Sequence, residues 1–252
     1  MTRNRFRQIV FGALAAPLAL GLAACDKKAE DGAPSSSEPI ARIAPPAGKA
    51  WQDMIEKTPE GGYRMGNPEA PIKLIEYAAL SCSHCAEFSK ESSEPMRDDY
   101  VASGRVSYEL RYFMLNPFDV PASLLATCGS TEAVIPLSEQ FWAWQPNMFE
   151  NVQALGDQKL QAIGELPKEQ QIAAIADASG MVNFFSSRGI ARDQANACLA
   201  DTAKAKALAD QTQKASDEFN VTGTPTFIIN GSSLGSMGWK ELEAKLQQAG
   251  AR

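Results

Sequence analysis

The chain has 252 residues, 44% of them apolar and 21% charged, with a formal net charge of −6. That length can bury a large core, in one domain or in a domain with an insertion. The acidic balance excludes nucleic acid as a favoured partner, because a phosphate backbone is held by clustered Lys and Arg.

The N-terminus reads as targeting. Arg3, Arg5 and Arg7 precede an apolar run, residues 9–24, that is too short for a comfortable membrane span. The run closes in Leu22-Ala23-Ala24-Cys25, which matches the bacterial lipobox, in which the cysteine is lipidated and becomes the mature N-terminus. Residues 1–24 are expected to be a lipoprotein signal peptide and Cys25 the lipidation site. An ordinary secretory signal with a chance cysteine is the alternative. Removing three arginines and no acids takes the net charge from −6 to −9. Asp26 after the cysteine points to retention at the inner membrane. Residues 25–50 are rich in Ala, Pro, Ser, Lys and Glu and have no apolar period, so they are expected to be a lipid-anchored flexible tether.

Residues 51–55 form a short turn or strand in this reading, and 61–66 a turn and an edge strand. Residues 72–77, an apolar run, are the first central strand. The motif Cys82-Ser83-His84-Cys85 follows, then a helix over 86–103 that Pro95 should kink and Gly104 should end. Over 106–113, Val106, Tyr108, Leu110 and Tyr112 alternate with Ser107, Glu109 and Arg111, the pattern of a half-buried strand. Residues 116–219 show only helical runs, at 120–128, 137–149, 159–163, 168–179, 181–188 and 192–219. A proline then enters a β-branched run at Thr224-Pro225-Thr226-Phe227, and Asn230-Gly231 signals a hairpin to a short strand near 233–234. Residues 239–248 are a last helix. There is no internal repeat.

Strand, Cys-x-x-Cys, then helix is the context of a redox pair. Cys82 would sit at a helix N-terminus, where N–H groups and the dipole favour its thiolate, the species that attacks a disulfide. Cys85, one turn inside, is the resolving thiol. His84 can donate to the thiolate or, protonated, place a positive charge beside it. The competing reading is a zinc half-site, but a closed site needs four ligands and His84 is the only histidine. No metal is expected. A proline is out of place in a central strand, and the run at Pro225 fits a cis Thr224–Pro225 bond at the strand's start, facing the cysteines.

These stretches, with Gly66-Asn67-Pro68, Leu74-Ile75-Glu76-Tyr77 and Phe88, resemble the DsbA-like branch of the thioredoxin superfamily, bacterial periplasmic thiol–disulfide oxidoreductases. The resemblance implies an α/β thioredoxin fold with an inserted all-α helical domain. Residues 51–118 and 220–252 would be its two thioredoxin parts and 119–219 the insertion. It places Glu76 as a semi-buried acid beneath the cysteines, assisting proton transfer at Cys85; an exposed strand carboxylate is the alternative. It places Thr224 and Pro225 where a client segment pairs in extended form. Ser-His between the cysteines and Thr before the proline depart from the best-known oxidase. The first leaves the potential open, and the second is seen in isomerase-type relatives.

With Cys25 lipidated and Cys82 and Cys85 paired, Cys128 and Cys198 remain. In an exported chain a structural disulfide between them is favoured over two buried thiols. Phe141, Trp142, Trp144, Met148 and Phe149 are expected in the helical core rather than in a client groove. Met114, Leu115 and Phe118 lie where they could rim the site. Lys204, Lys206 and Lys214 form a solvated helix face. The expected activity is transfer of the Cys82–Cys85 disulfide to reduced or misoxidised exported proteins, without a cofactor. The protein would be a monomer anchored in the periplasm, reoxidised by a quinone-linked, DsbB-like membrane partner. An isomerase or reductase for selected clients, such as apocytochromes, is the nearest alternative, and a non-enzymatic chaperone or adaptor is the alternative of another class.

Overall fold

The structure, a computed structural model, describes residues 38–252. The expected signal peptide, Cys25 and residues 26–37 of the expected tether lie outside them. Six strands, β1 (Ile55–Lys57), β2 (Tyr63–Gly66), β3 (Ile72–Ala78), β4 (Val106–Tyr112), β5 (Thr226–Ile229) and β6 (Ser232–Gly235), form one sheet in the order β1-β2-β4-β3-β5-β6. β3 and β4 are parallel and joined by the helix α1 (Ser83–Pro95); the other neighbours are antiparallel. Between β4 and β5 lie α2 (Asp119–Ala126), α3 (Val134–Gly164), α4 (Lys168–Ala178), α5 (Met181–Ser186), α6 (Arg192–Leu199) and α7 (Thr202–Phe219). The chain closes with α8 (Trp239–Gln248). This is the expected thioredoxin fold with a helical insertion.

β3 sits at the centre with both faces covered, which explains its nearly continuous apolar run. Ile72, Leu74 and Ala78 face the main core, shared with α1 and the helical insertion, while Tyr77 and Ile75 face a smaller cluster with Phe113, Ala215, Phe219, Val221 and Ile228. Because side chains alternate along a strand, Glu76 shares the face of Leu74 and Ala78 and is carried inside beneath α1.

Several elements differ from the sequence pattern for definable reasons. β2 is an interior strand, because β1 pairs outside it. Every residue of β4 is buried, not alternate ones. Its polar positions are satisfied internally: Glu109 Oε1 accepts from Arg111 Nε and from Thr58 Oγ1, both at 2.7 Å, and Arg111 donates to Tyr77 Oη at 3.2 Å. α1 starts at Ser83 and changes at Pro95 into a π turn, Met96–Val101; a proline lacks the N–H that would continue the α pattern. The runs expected at 137–149 and 159–163 are the two arms of α3, separated by a kink at Gly156, whose φ of 72° and ψ of 163° are not helical; the first arm extends beyond the expected run at both ends. The run expected over 192–219 is two, because Asp201 caps α7 by accepting from Lys204 N at 2.9 Å. Lys204 is not part of a purely solvated face, since its Nζ donates to Thr127 O at 2.8 Å.

The last part of the expected tether is docked chain. Ile40 N donates to Gly250 O and Ile43 N to Ser103 O, each at 2.9 Å, and Trp51 Nε1 donates to Ile43 O at 2.8 Å. Arg105, buried, donates to the main-chain oxygens of both Ile40 and Arg252. On the helical insertion, Cys128 and Cys198 are joined by a disulfide with Cα atoms 5.9 Å apart.

Candidate functional site

β3 ends at Ala78, and after three further residues Cys82 is the N-cap of α1, in extended conformation at φ −80° and ψ 120°. The backbone N–H groups of His84 and Cys85 therefore point at its sulfur. Cys82 is half-buried and Cys85 fully buried, and both are free thiols. Cys82 Sγ donates to Thr224 O at 3.2 Å, and the Thr224–Pro225 peptide is cis.

This arrangement splits two chemically identical groups. The Cys82 thiol is pulled from the ordinary 9 down to about 5. The hydrogen bond from the Cys85 thiol is the main cause, working against burial and helped by the Thr224 side chain, not its carbonyl, and by the N–H groups of Cys85 and His84. Cys85 is pushed well above 9, first by burial, then by donating to Cys82, then by the nearby charges of Glu76 and Cys82. One sulfur is a ready nucleophile and leaving group; the other holds its proton.

Glu76, 1% exposed, lies beneath this pair. Burial raises its carboxyl from 4.5 to about 8, opposed by the hydrogen bond from Tyr108 and reinforced by the charges of Cys82 and Glu139. Tyr108 Oη donates to Oε2 at 2.7 Å. The carboxyl is buried outright, deeper than the semi-buried acid of the resemblance.

His84 enters through its backbone. Its ring is exposed, and among the described residues it makes no hydrogen bond to either sulfur. The ring instead lines, with Glu87, Glu91, Pro225 and Met237, an open groove of about 350 Å³ running from the proline loop along α1.

The loop before Cys82 is braced by the helical insertion, which sequence reasoning did not assign to the site. Asp119, fully buried on α2, accepts from Ser81 N at 2.8 Å, Ser81 Oγ at 3.0 Å, and the N–H groups of Leu115 and Asn116. From α3, Trp142 Nε1 donates to Ala79 O at 3.0 Å, and Gln145 Nε2 donates to Leu80 O at 2.7 Å and Cys82 O at 3.0 Å. Trp142, expected only as core, thus also holds the loop. Asp119 at a helix start reads locally as a first-turn acid, and no local signal reveals a partner 38 residues away. Phe141, Trp142 and Met148 are buried, whereas Phe149 is 39% exposed. Leu115, 43% exposed, stands close to the loop through its neighbour Asn116, which donates to Ser81 Oγ at 2.6 Å.

A family described as Thioredoxin matches residues 58–248. A Rickettsia bellii protein, provisionally named a protein-disulfide oxidoreductase, is 22% identical over 212 residues, spanning 79% of this chain and 73% of its own length. The crystal structure of a protein-disulfide isomerase from Novosphingobium aromaticivorans is similar, with TM-score 0.69 and 29% identity over 73% of this chain and 94% of that one. The alpha-DsbA1 of Wolbachia pipientis shares the fold, with TM-score 0.57 and 22% identity over 76% of this chain and 91% of that one.

Proposed function

The chain belongs to the thioredoxin family, and from that premise we propose that it is a thiol–disulfide oxidoreductase of the DsbA-like branch that donates its Cys82–Cys85 disulfide to cysteines of exported, folding proteins. The observation that carries this reading is the split between the two thiols, one pulled to about 5 and half-exposed, the other raised and buried. Stabilising a thiolate stabilises the reduced form relative to the disulfide, and each pKa unit is worth about 30 mV in a two-electron couple. The disulfide is therefore the less stable partner of the redox pair, and gives itself up readily.

In the proposed reaction a client thiolate attacks Cys82 Sγ. The Cys82–Cys85 bond breaks, its electron pair goes to Cys85 sulfur, and Cys85 takes a proton from Glu76, which holds one at neutral pH. A second client thiolate then attacks the client's own sulfur in the mixed disulfide, and Cys82 leaves as the stabilised thiolate. The client is oxidised by two electrons and the enzyme pair is reduced by two. Thr224 and Pro225 would hold the client in extended form beside Cys82. A quinone-linked, DsbB-like membrane partner would restore the disulfide.

The proposed setting is the periplasm, with the chain held at the inner membrane by lipid on Cys25. Among the described residues no helix is long and apolar enough to cross a membrane. Radioactive fatty-acid labelling tests the anchor: label is expected on the parent chain, and label persisting in Cys25→Ser would overturn it.

Isomerisation or reduction of selected clients is the second reading. Thr224 before the cis proline favours it, as does the name of the Novosphingobium relative. The deciding experiment is the redox equilibrium of the full-length chain in glutathione buffers. A potential of about −120 to −160 mV is expected for a donor, and about −250 mV would overturn donation in favour of a reductant role.

A further inference from the structure

Cys85 is fully buried, and every turnover makes it gain and lose a proton. On donation of the disulfide, Glu76 supplies that proton and is left as a carboxylate, with Oε1 buried and without a hydrogen-bond partner. With its carboxyl held near 8 it then takes up a further proton at neutral pH, and must release one again when Cys85 hands its own back on reoxidation. With a client over Cys82 and the proline loop, that exchange has no path past the sulfur.

A second route is built into the contact between α1 and α3. A narrow cavity is lined by Glu76, Tyr108, Ser89, Ser93, Glu139 and Trp142. Its volume is about 10 Å³, the lower bound for holding one water. Glu76 and Tyr108 form its inner end. Along its α1 wall the Ser89 and Ser93 hydroxyls are 3.0 Å apart, and Glu139 of α3 lines the same cavity beside Ser93. Glu139, half-buried, also lines an open groove of about 820 Å³ with Ser93, Lys90, Glu94 and Arg97. Hydroxyls both donate and accept, so a serine pair between two carboxyl groups can pass a proton either way.

We propose that Glu139 relays the Cys85 proton between Glu76 and the α1–α3 groove, through the Ser89–Ser93 hydroxyls, so that the buried end of the site exchanges protons sideways and not past Cys82. The inference rests on the reading of Glu76 as the proton partner of Cys85. The groups facing Glu76 are Cys82 and Cys85 at the start of α1, Tyr108 from β4 and Glu139 from α3; those facing Glu139 are Ser93, Lys90 and Glu94 from α1, Arg97 from the π turn after it, Tyr108 from β4 and Glu76 from β3. Burial raises the Glu139 carboxyl, opposed by Ser93 and by Arg97, so its proton affinity moves toward that of Glu76. A relay works best between groups of similar affinity. Glu139 touches neither sulfur and is a positioning residue for the proton, not a catalytic one.

The test is stopped-flow oxidation of the reduced full-length chain by oxidised glutathione from pH 5 to 9. Glutathione is reduced as Cys85, deprotonated, closes on the mixed disulfide at Cys82. Glu139→Gln and Ser93→Ala are expected to slow that closure about tenfold, less than the ~100-fold typical of a directly acting acid or base. Glu139→Asp should recover most of the rate. Alkylation of Cys82 by iodoacetamide should keep its pH profile in all three variants. In a Glu76→Gln background, Glu139→Gln should add no further loss. A Glu139→Gln chain with the parental rate and pH profile, beside a slow Glu76→Gln chain, overturns the relay alone. An equal loss in both backgrounds marks a packing effect and also overturns it. A Glu76→Gln chain as fast as the parent overturns the reading of Glu76 itself, and the relay with it.

Discussion

Glu76→Gln should stabilise the fold while slowing the chemistry. The carboxyl is 1% exposed and its folded-state value is about 8, against 4.5 for an ordinary glutamate. Between those values the unfolded chain releases a proton that the folded chain keeps, so stability falls as pH rises. Each unit is 1.36 kcal/mol. The carboxyl therefore costs almost nothing near pH 4.5, about 3 kcal/mol at pH 7 and about 4 kcal/mol at pH 8. Glutamine keeps the shape and the bond with Tyr108 but never ionises. Urea unfolding with the Cys82–Cys85 pair reduced by stoichiometric dithiothreitol measures the difference. Parent and variant should coincide near pH 4.5 and diverge above pH 5, with the variant ahead by about 3 kcal/mol at pH 7. A variant no more stable than the parent at pH 8, or one whose advantage is the same at pH 4.5, would refute the account of a carboxyl held neutral by burial.

Iodoacetamide should label Cys82 with a rate that rises through about pH 5 and leave Cys85 unlabelled in the folded chain; labelling that first rises near pH 9 would contradict a thiolate stabilised by the Cys85 thiol and the helix N–H groups. Because the Cys82 value is lowered on folding, its contribution is full above the ordinary 9 and is lost as pH falls through about 5. The melting temperature of the reduced form should accordingly gain on that of the oxidised form from pH 5 to 9 in calorimetry. The Cys128–Cys198 bond closes a separation of 70 residues, so replacing both by alanine should cost up to about 4 kcal/mol in urea unfolding. Asp119→Ala strands the N–H groups of Ser81, Leu115 and Asn116 and should cost about 3 kcal/mol and slow exchange; full activity in that variant would show the loop needs no brace.

The parts of the fold that were legible in the sequence are those set by local chemistry. Asn230 and Gly231, with φ 49° and 82°, make the two-residue turn their identities announce. α8 runs over the residues its pattern marks, and Cys82 stands at the start of a helix as the motif requires. What escaped is set by partners far away in sequence. Ser107, Glu109 and Arg111 look like a solvent face until Thr58 and Tyr77 are brought against them by the sheet. Asp119, Trp142 and Gln145 look like helix residues of an inserted domain, yet each ends on the loop before Cys82. A side chain recruited across a domain contact leaves no periodic trace. The proton route at Glu139 belongs to the same class, since it exists only where α1 and α3 meet.

The clasp at Arg105 has a mechanical consequence. It grips Ile40 and Arg252 beside the start of β4, while Cys82 follows the far end of β3, a parallel neighbour of seven residues. At about 3.3 Å per residue, roughly 23 Å of strand separates the two ends. A pull on the chain upstream of Glu38 is thus borne by the clasp, at the end of the sheet opposite the reactive sulfur. Strain entering at Ile40 is taken up away from Cys82 and leaves the geometry of the thiol pair untouched.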